Sequence, residues 1–204
     1  MFNLPYNFSF DIYSLLFHPK YFFEGKKKKA NDLMATLPFF LFGIGIASFT
    51  VPFNSITNSM NSSFPSVLSL ISSYIFSLCF HPTVFLIQTI IVYHFIRLLG
   101  EELSYRNFLS TMLFLPIFLI GELLFYLVLF LFESIATIPA ISCFYGLIVA
   151  ITILYIWKSY CAIIGLSTMQ QINRKVATVG ILLPFSFFYA LRILVILVGI
   201  ASRS

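Results

Sequence analysis

Two ionisable side chains stand deep inside apolar runs. Glu122 lies in F-L-P-I-F-L-I-G-E-L-L-F-Y, and Arg192 in F-S-F-F-Y-A-L-R-I-L-V-I-L. A charge at mid-bilayer depth costs at least about 2.5 kcal/mol unless a partner or water serves it, so each is a functional candidate by default. Opposite charge and matched depth make them an expected intramembrane ion pair, a structural clamp or part of a polar path. Gln88 and His94 are the other polar-path candidates, on the run before Glu122. Lys26, Lys27, Lys28 and Lys29 form a cationic run just ahead of the first long apolar stretch. Arg97, Glu101, Glu102 and Arg106 crowd one short loop, and Arg174 and Lys175 another. Such cations anchor a membrane protein by the positive-inside rule and can hold anionic headgroups, at about 1 kcal/mol each near the surface.

Enzymatic signatures do not appear. The chain has no G-x-S-x-G, no glycine-rich phosphate loop and no H-E-x-x-H. His, Cys and carboxylates do not fall at metal-ligand spacing, so no metal or cofactor is expected. Cys79, Cys143 and Cys161 fall within or at the ends of apolar runs and read as small buried hydrophobes.

The elements that must position these residues are helices in lipid. Of 204 residues, 60% are hydrophobic and 9% charged, and the mean hydropathy is +0.99. Soluble domains carry about 25% charge. A membrane β-barrel would alternate apolar and polar residues over roughly ten-residue segments. The apolar runs here are continuous and about twenty residues long, which is helix length for a hydrocarbon core of roughly 30 Å. The expected fold is therefore all-α: a polytopic five-transmembrane-helix bundle over residues 33–204, preceded by an interfacial segment over 1–32.

In that segment Phe10, Tyr13, Leu16 and Phe17 recur at helical period, and Pro19 should interrupt the helix. It lies on the membrane or packs on the protein's own cytosolic face. The first twenty residues lack a basic start and a small-residue cleavage site, so the first span is expected to act as the membrane address. Spans are expected at about 33–53, 83–99, 108–132, 140–161 and 176–200. Gly43 and Gly45 would let helices approach closely in the first, Pro52 would end it, and 54–63 would be an external loop. The stretch 64–80 is either an extension of the second span or a serine-rich re-entrant or surface segment. Trp157, Lys158 and Tyr160 would form an interfacial belt closing the fourth span. The loop I-G-L-S-T-M-Q-Q-I-N-R-K follows it, and Pro184 would bend the fifth. With five spans and a cytosolic N-terminus, ten of the twelve Lys and Arg fall on the cytosolic side. That asymmetry places the C-terminus outside.

Three stretches resemble the Yip domain family, whose eukaryotic members are named for interacting with small Ypt/Rab GTPases. They are L-L-F-H-P-K-Y-F-F-E (15–24), L-L-G-E-E-L-S-Y-R-N-F-L-S-T-M-L-F-L-P (98–116) and I-W-K-S-Y-C-A-I-I-G-L-S-T-M-Q-Q-I-N-R-K-V-A (156–177). The first is similar to the opening proline-aromatic segment of prokaryotic members. The second is similar to the loop after the second span, and the third to the tryptophan-containing fourth span with a Gly-Leu turn. The resemblance implies five spans with the N-terminus inside and the C-terminus external or lumenal. The longer acidic or proline-rich N-terminal region of eukaryotic members is missing, so Rab binding is not carried over. Phe- and Lys-rich usage suggests a bacterial or archaeal plasma membrane.

The expected function is a non-enzymatic membrane scaffold or adaptor that binds a protein partner or anionic lipid through its cytosolic face, as a monomer or homo-oligomer and without nucleic acid. The alternative is a small transporter, channel or lipid-handling protein with a polar path at Glu122, Arg192 and His94.

Overall fold

The structure is a computed structural model that describes residues 8–26, 33–48, 67–135 and 140–201. Among these, every regular element is helical: α1 (Phe8–Phe17), α2 (Pro19–Lys26), α3 (Leu33–Ala47), α4 (Val67–Leu98), α5 (Tyr105–Met112), a 3₁₀ turn (Leu115–Ile117), α6 (Phe118–Ile135), α7 (Ala140–Met169) and α8 (Arg174–Ala201). Four described stretches are long and apolar enough to cross a membrane: Val67–Leu98, Tyr105–Phe125, Ile148–Met169 and Arg174–Leu194. The apolar helix Thr36–Ala47 is shorter. Pro52 and the expected external loop lie outside the described residues.

Hydrophobic side chains stay exposed along these helices in a way water would not tolerate. On α8, Leu183, Phe187, Leu191, Leu194 and Val198 are all exposed, and their spacing of four, four, three and four places them in one stripe. A contiguous apolar face of this kind marks a surface covered by another apolar phase, and lipid tails are the natural cover for helices of this length.

The residues group into two compact units. The first comprises Met1–Pro38, Ile87–Phe114 and Tyr155–Ser204. An aromatic cluster lies in its core. Phe22, Phe23 and Phe114 meet edge to face, with centroids 5.2 Å apart for Phe22–Phe23, 5.0 Å for Phe22–Phe114 and 5.9 Å for Phe23–Phe114. Such pairs add roughly 0.5–1.5 kcal/mol beyond area burial. Gly165 makes room for them: a Cβ there would stand 2.9 Å from the Phe23 ring and 3.0 Å from the Thr111 methyl. Gly180 does the same for Ile96.

The second unit comprises Phe39–Leu86 and Leu115–Leu154. Here Gly43 lies directly against backbone, since a Cβ on it would come within 2.5 Å of the Pro116 carbonyl group and 2.7 Å of the Ile117 nitrogen. Gly45, the other glycine expected to permit close approach, meets nothing within 4 Å.

Several boundaries differ from the expected ones. Val67–Leu98 is one 32-residue helix with Pro82 inside it, so 67–80 extends the helix of 83–98. Its hydroxyls turn back on their own backbone: Ser72 donates to the Leu68 carbonyl, Ser73 to Ser69 and Thr83 to Cys79, at 2.8–2.9 Å. Ser72 and Ser73, two of the serines that read as a re-entrant signal, are thus spent within the helix, while the Ser77 hydroxyl is buried with no hydrogen-bond partner among the described residues. The third span is interrupted, because α5 stops at Met112 and regular helix resumes at Phe118, after the 3₁₀ turn that contains Pro116. At the far end, α6 continues to Ile135, three residues past the expected end of the third span at 132. The expected loop after Cys161 shrinks to Gln170–Asn173, because α7 carries on through Gly165 and Leu166 to Met169. Gln171 sits in the left-handed region at φ 57° and makes that short reversal.

Candidate functional site

Two features of the first unit hold most of the candidate residues. One is a junction of loops. Helix α4 closes at Gly100, whose φ of 92° suits glycine and whose N–H donates to the Arg97 carbonyl at 3.0 Å. The chain then turns through Glu101–Ser104 into α5. Opposite, Asn173 begins α8 as its N-cap, with Oδ1 accepting the Lys175 N–H at 3.0 Å. Glu101 Oε1 accepts the Asn173 N–H at 3.3 Å, and Gln170 Nε2 donates to the Asn107 carbonyl and to Thr111 Oγ1, each at 2.9 Å. The Tyr93 hydroxyl ties the first loop down by donating to the Leu103 carbonyl at 3.1 Å.

Around these fasteners Arg97, Arg106, Arg174 and Lys175 are all exposed. The Arg97 guanidinium lies 5.9 Å from the Tyr93 ring centroid, a cation–π contact. The junction therefore uses neutral amides and one carboxylate to hold two loops together and leaves its cationic groups outward.

The other feature is where α1 and α2 meet α7. Proline at position 19 has no N–H, so the Leu15 carbonyl four residues back receives no helical donor. The Cys161 thiol donates to that carbonyl at 3.9 Å, and Trp157 Nε1–H donates to the Leu16 carbonyl at 2.8 Å. The helix resumes as α2 with Pro19 as its first residue, where proline is well tolerated. Leu15, Phe22 and Phe23 turn inward. Tyr13, Phe17 and Tyr21 stay exposed, so the expected Tyr13–Phe17 face is the outward one. An open cleft of about 370 Å³ forms between Phe17, His18, Lys20, Tyr21 and Glu24 on one side and Trp157 and Tyr160 on the other. Trp157 and Tyr160 stack with centroids 5.3 Å apart.

Sequence reasoning singled out the residues of both walls, but as an expected interfacial segment and as an expected belt closing the fourth span, whereas Trp157 and Tyr160 lie inside a helix that continues to Met169. It missed the cleft because the walls lie about 140 residues apart in the chain, and the link between them is a side-chain bond to a carbonyl that Pro19 helps to free.

The remaining candidates fall as follows. Lys26 is engaged rather than outward: its Nζ lies 2.6 Å from Asp11 Oδ2, largely buried, and 5.7 Å from the Phe22 ring centroid. Lys27, Lys28 and Lys29 lie outside the described residues. His94 is exposed on α4, and Gln88 is half-buried six residues earlier, about 120° away around the helix. Glu122 is half-buried on α6 in the second unit, and Arg192 half-buried on α8 in the first. Among the described residues no three His, Cys, Asp or Glu gather closely enough to hold a metal ion.

No family model, no curated protein and no solved structure matches this chain.

Proposed function

We propose that this chain is a non-enzymatic integral membrane scaffold or adaptor of the Yip type that holds anionic lipid, or the acidic surface of a protein partner, on the cationic loop junction. The observation that carries this reading is the outward set of Arg97, Arg106, Arg174 and Lys175 over a junction fastened by Glu101, Gln170 and Asn173. A rigid loop pair with outward cations loses little freedom on meeting a negative surface. In this reading the junction faces the cytosol of a bacterial or archaeal cell, five helices cross the plasma membrane, and the C-terminus is external. The test is native mass spectrometry of the chain released from mild detergent. Retained phosphatidylglycerol, or an acidic protein at fixed stoichiometry, should fall away when Arg97, Arg106, Arg174 and Lys175 are changed to Gln. Retention unchanged by the four substitutions would overturn the reading.

One observation favours a second reading, a small transporter or channel. The interruption between α5 and α6 is the kind of helix break that transport sites use, and Glu122 follows it by a few residues on α6. Solute or ion flux in liposomes that Glu122→Gln abolishes, with the fold intact, would move the weight to this reading.

A further inference from the structure

We propose that the cleft between α2 and the Trp157–Tyr160 segment of α7 binds the headgroup of a zwitterionic, amine-bearing phospholipid. The inference rests on the reading above in placing this end of the chain on the cytosolic side, and on a fourth span that ends near Trp157, as expected from the sequence, with the rest of α7 standing beyond the bilayer; the residues are different ones.

The cleft offers one cation, one carboxylate and four aromatic rings. Lys20 and Glu24 lie one helical turn apart on α2, with Nζ and Oε1 3.9 Å apart and side chains 74% and 53% exposed. An ion pair this open contributes little, so either partner can exchange its contact for a ligand at small cost. An ethanolamine headgroup carries its phosphate and ammonium two methylenes apart, close to the spacing of two side chains one turn of about 5.4 Å apart. Lys20 then takes the phosphodiester, with His18 beside it, as charge-assisted hydrogen bonds. Glu24 takes the ammonium. The faces of Tyr21, Phe17 and the Trp157–Tyr160 stack cover the amine's methylenes and add cation–π attraction.

A headgroup without an amine would put bare negative charge against Glu24, so this site discriminates against purely anionic lipid, unlike the loop junction. The volume of about 370 Å³ lies at the small end of ligand sites, which run from about 300 to 1,000 Å³. Phe17 is 61% and Tyr21 69% exposed, and tyrosine and tryptophan are the aromatic residues enriched at headgroup level.

Trp157 is the single tryptophan of the chain, so its emission reports on this cleft alone. The experiment titrates the full chain in detergent with short-chain phosphatidylethanolamine, below its micelle concentration, and follows that emission. A saturable shift is expected. The Glu24→Gln variant should weaken phosphatidylethanolamine about tenfold, roughly the loss of one charge contact, while leaving phosphatidylglycerol no weaker. Lys20→Gln should weaken both. Both side chains are exposed, so thermal midpoints should stay at the wild-type value, and Tyr21→Ala gives an independent loss of binding. No saturable shift, equal binding of the two lipids, or insensitivity to Glu24→Gln overturns the proposal. Equal binding of free glycerophosphoethanolamine overturns the assignment to a lipid. None of these results bears on phosphatidylglycerol held by the loop junction, which the arginine variants test separately.

Discussion

Single side chains do much of the joining in the first unit. Trp157 fixes α1 to α7 by donating to the Leu16 carbonyl. Replacing it with Phe keeps most of the apolar contact and removes the donor, leaving a carbonyl at a helix end with no protein partner. Loss of about 0.5–1.5 kcal/mol is expected, the usual net value of such a bond, read as a lower thermal midpoint in detergent and faster hydrogen exchange over 8–26. Ser159 is the opposite case: its hydroxyl is buried and has no hydrogen-bond partner among the described residues. Ser159→Ala removes an unsatisfied group that costs about 1–3 kcal/mol, so the same melting experiment should give an equal or higher midpoint. The sequence offered no sign of this difference, because both residues sit in one short polar-aromatic stretch and only the fold decides which polar atom meets a partner.

At the scale of the element, prolines mislead in both directions. Pro19 divides α1 from α2 as its chemistry demands. Pro82 stands inside continuous helix, while the chain around Pro116 leaves the α-helical path. A proline removes one donor in either place, and the outcome depends on what lies alongside. Next to Pro116 is the bare backbone of Gly43, a packing partner that no local pattern reveals. Gly43→Ala would press a methyl group into backbone that cannot rotate away, and overpacking of this kind costs about 1–3 kcal/mol. Gly45→Ala, facing open space, should cost nothing and gain slightly in helix propensity. The two variants, melted side by side, isolate the contact. Helix ends were less legible than helix existence: Gly165 and Ser167 look like a turn after Cys161, yet the glycine admits Phe23 and the serine hydroxyl donates to the Ile164 carbonyl within the helix at 3.1 Å.

At the scale of the molecule, hydropathy gave the all-helical class and the apolar character of the spans, because length in lipid is set by bilayer thickness and needs no tertiary knowledge. Orientation is read from lysine and arginine asymmetry. In membranes from intact cells, single cysteines at Glu102 and Asn173 in a cysteine-free background should resist a membrane-impermeant maleimide, and one at Ser204 should react. The reverse pattern would invert the proposed topology.

The length of α4 bears on where such a protein can reside. At 1.5 Å per residue its 32 residues measure about 48 Å. Even tilted by about 40°, the upper end of what membrane helices adopt, it would still project about 37 Å along the membrane normal, more than a hydrocarbon core of roughly 30 Å. Its N-terminal turns cannot shed the excess into water cheaply, since Val67, Leu68, Ile71, Ile75 and Phe76 are exposed apolar side chains. The excess is met by a bend at Pro82, by the turns at the Arg97 end standing in the interface, or by a thicker bilayer, at a fraction of a kcal/mol per ångström. To the degree that thicker bilayer takes up the excess, a chain built this way would partition laterally, gathering where acyl chains are long and ordered and leaving the thin, fluid parts of the same membrane.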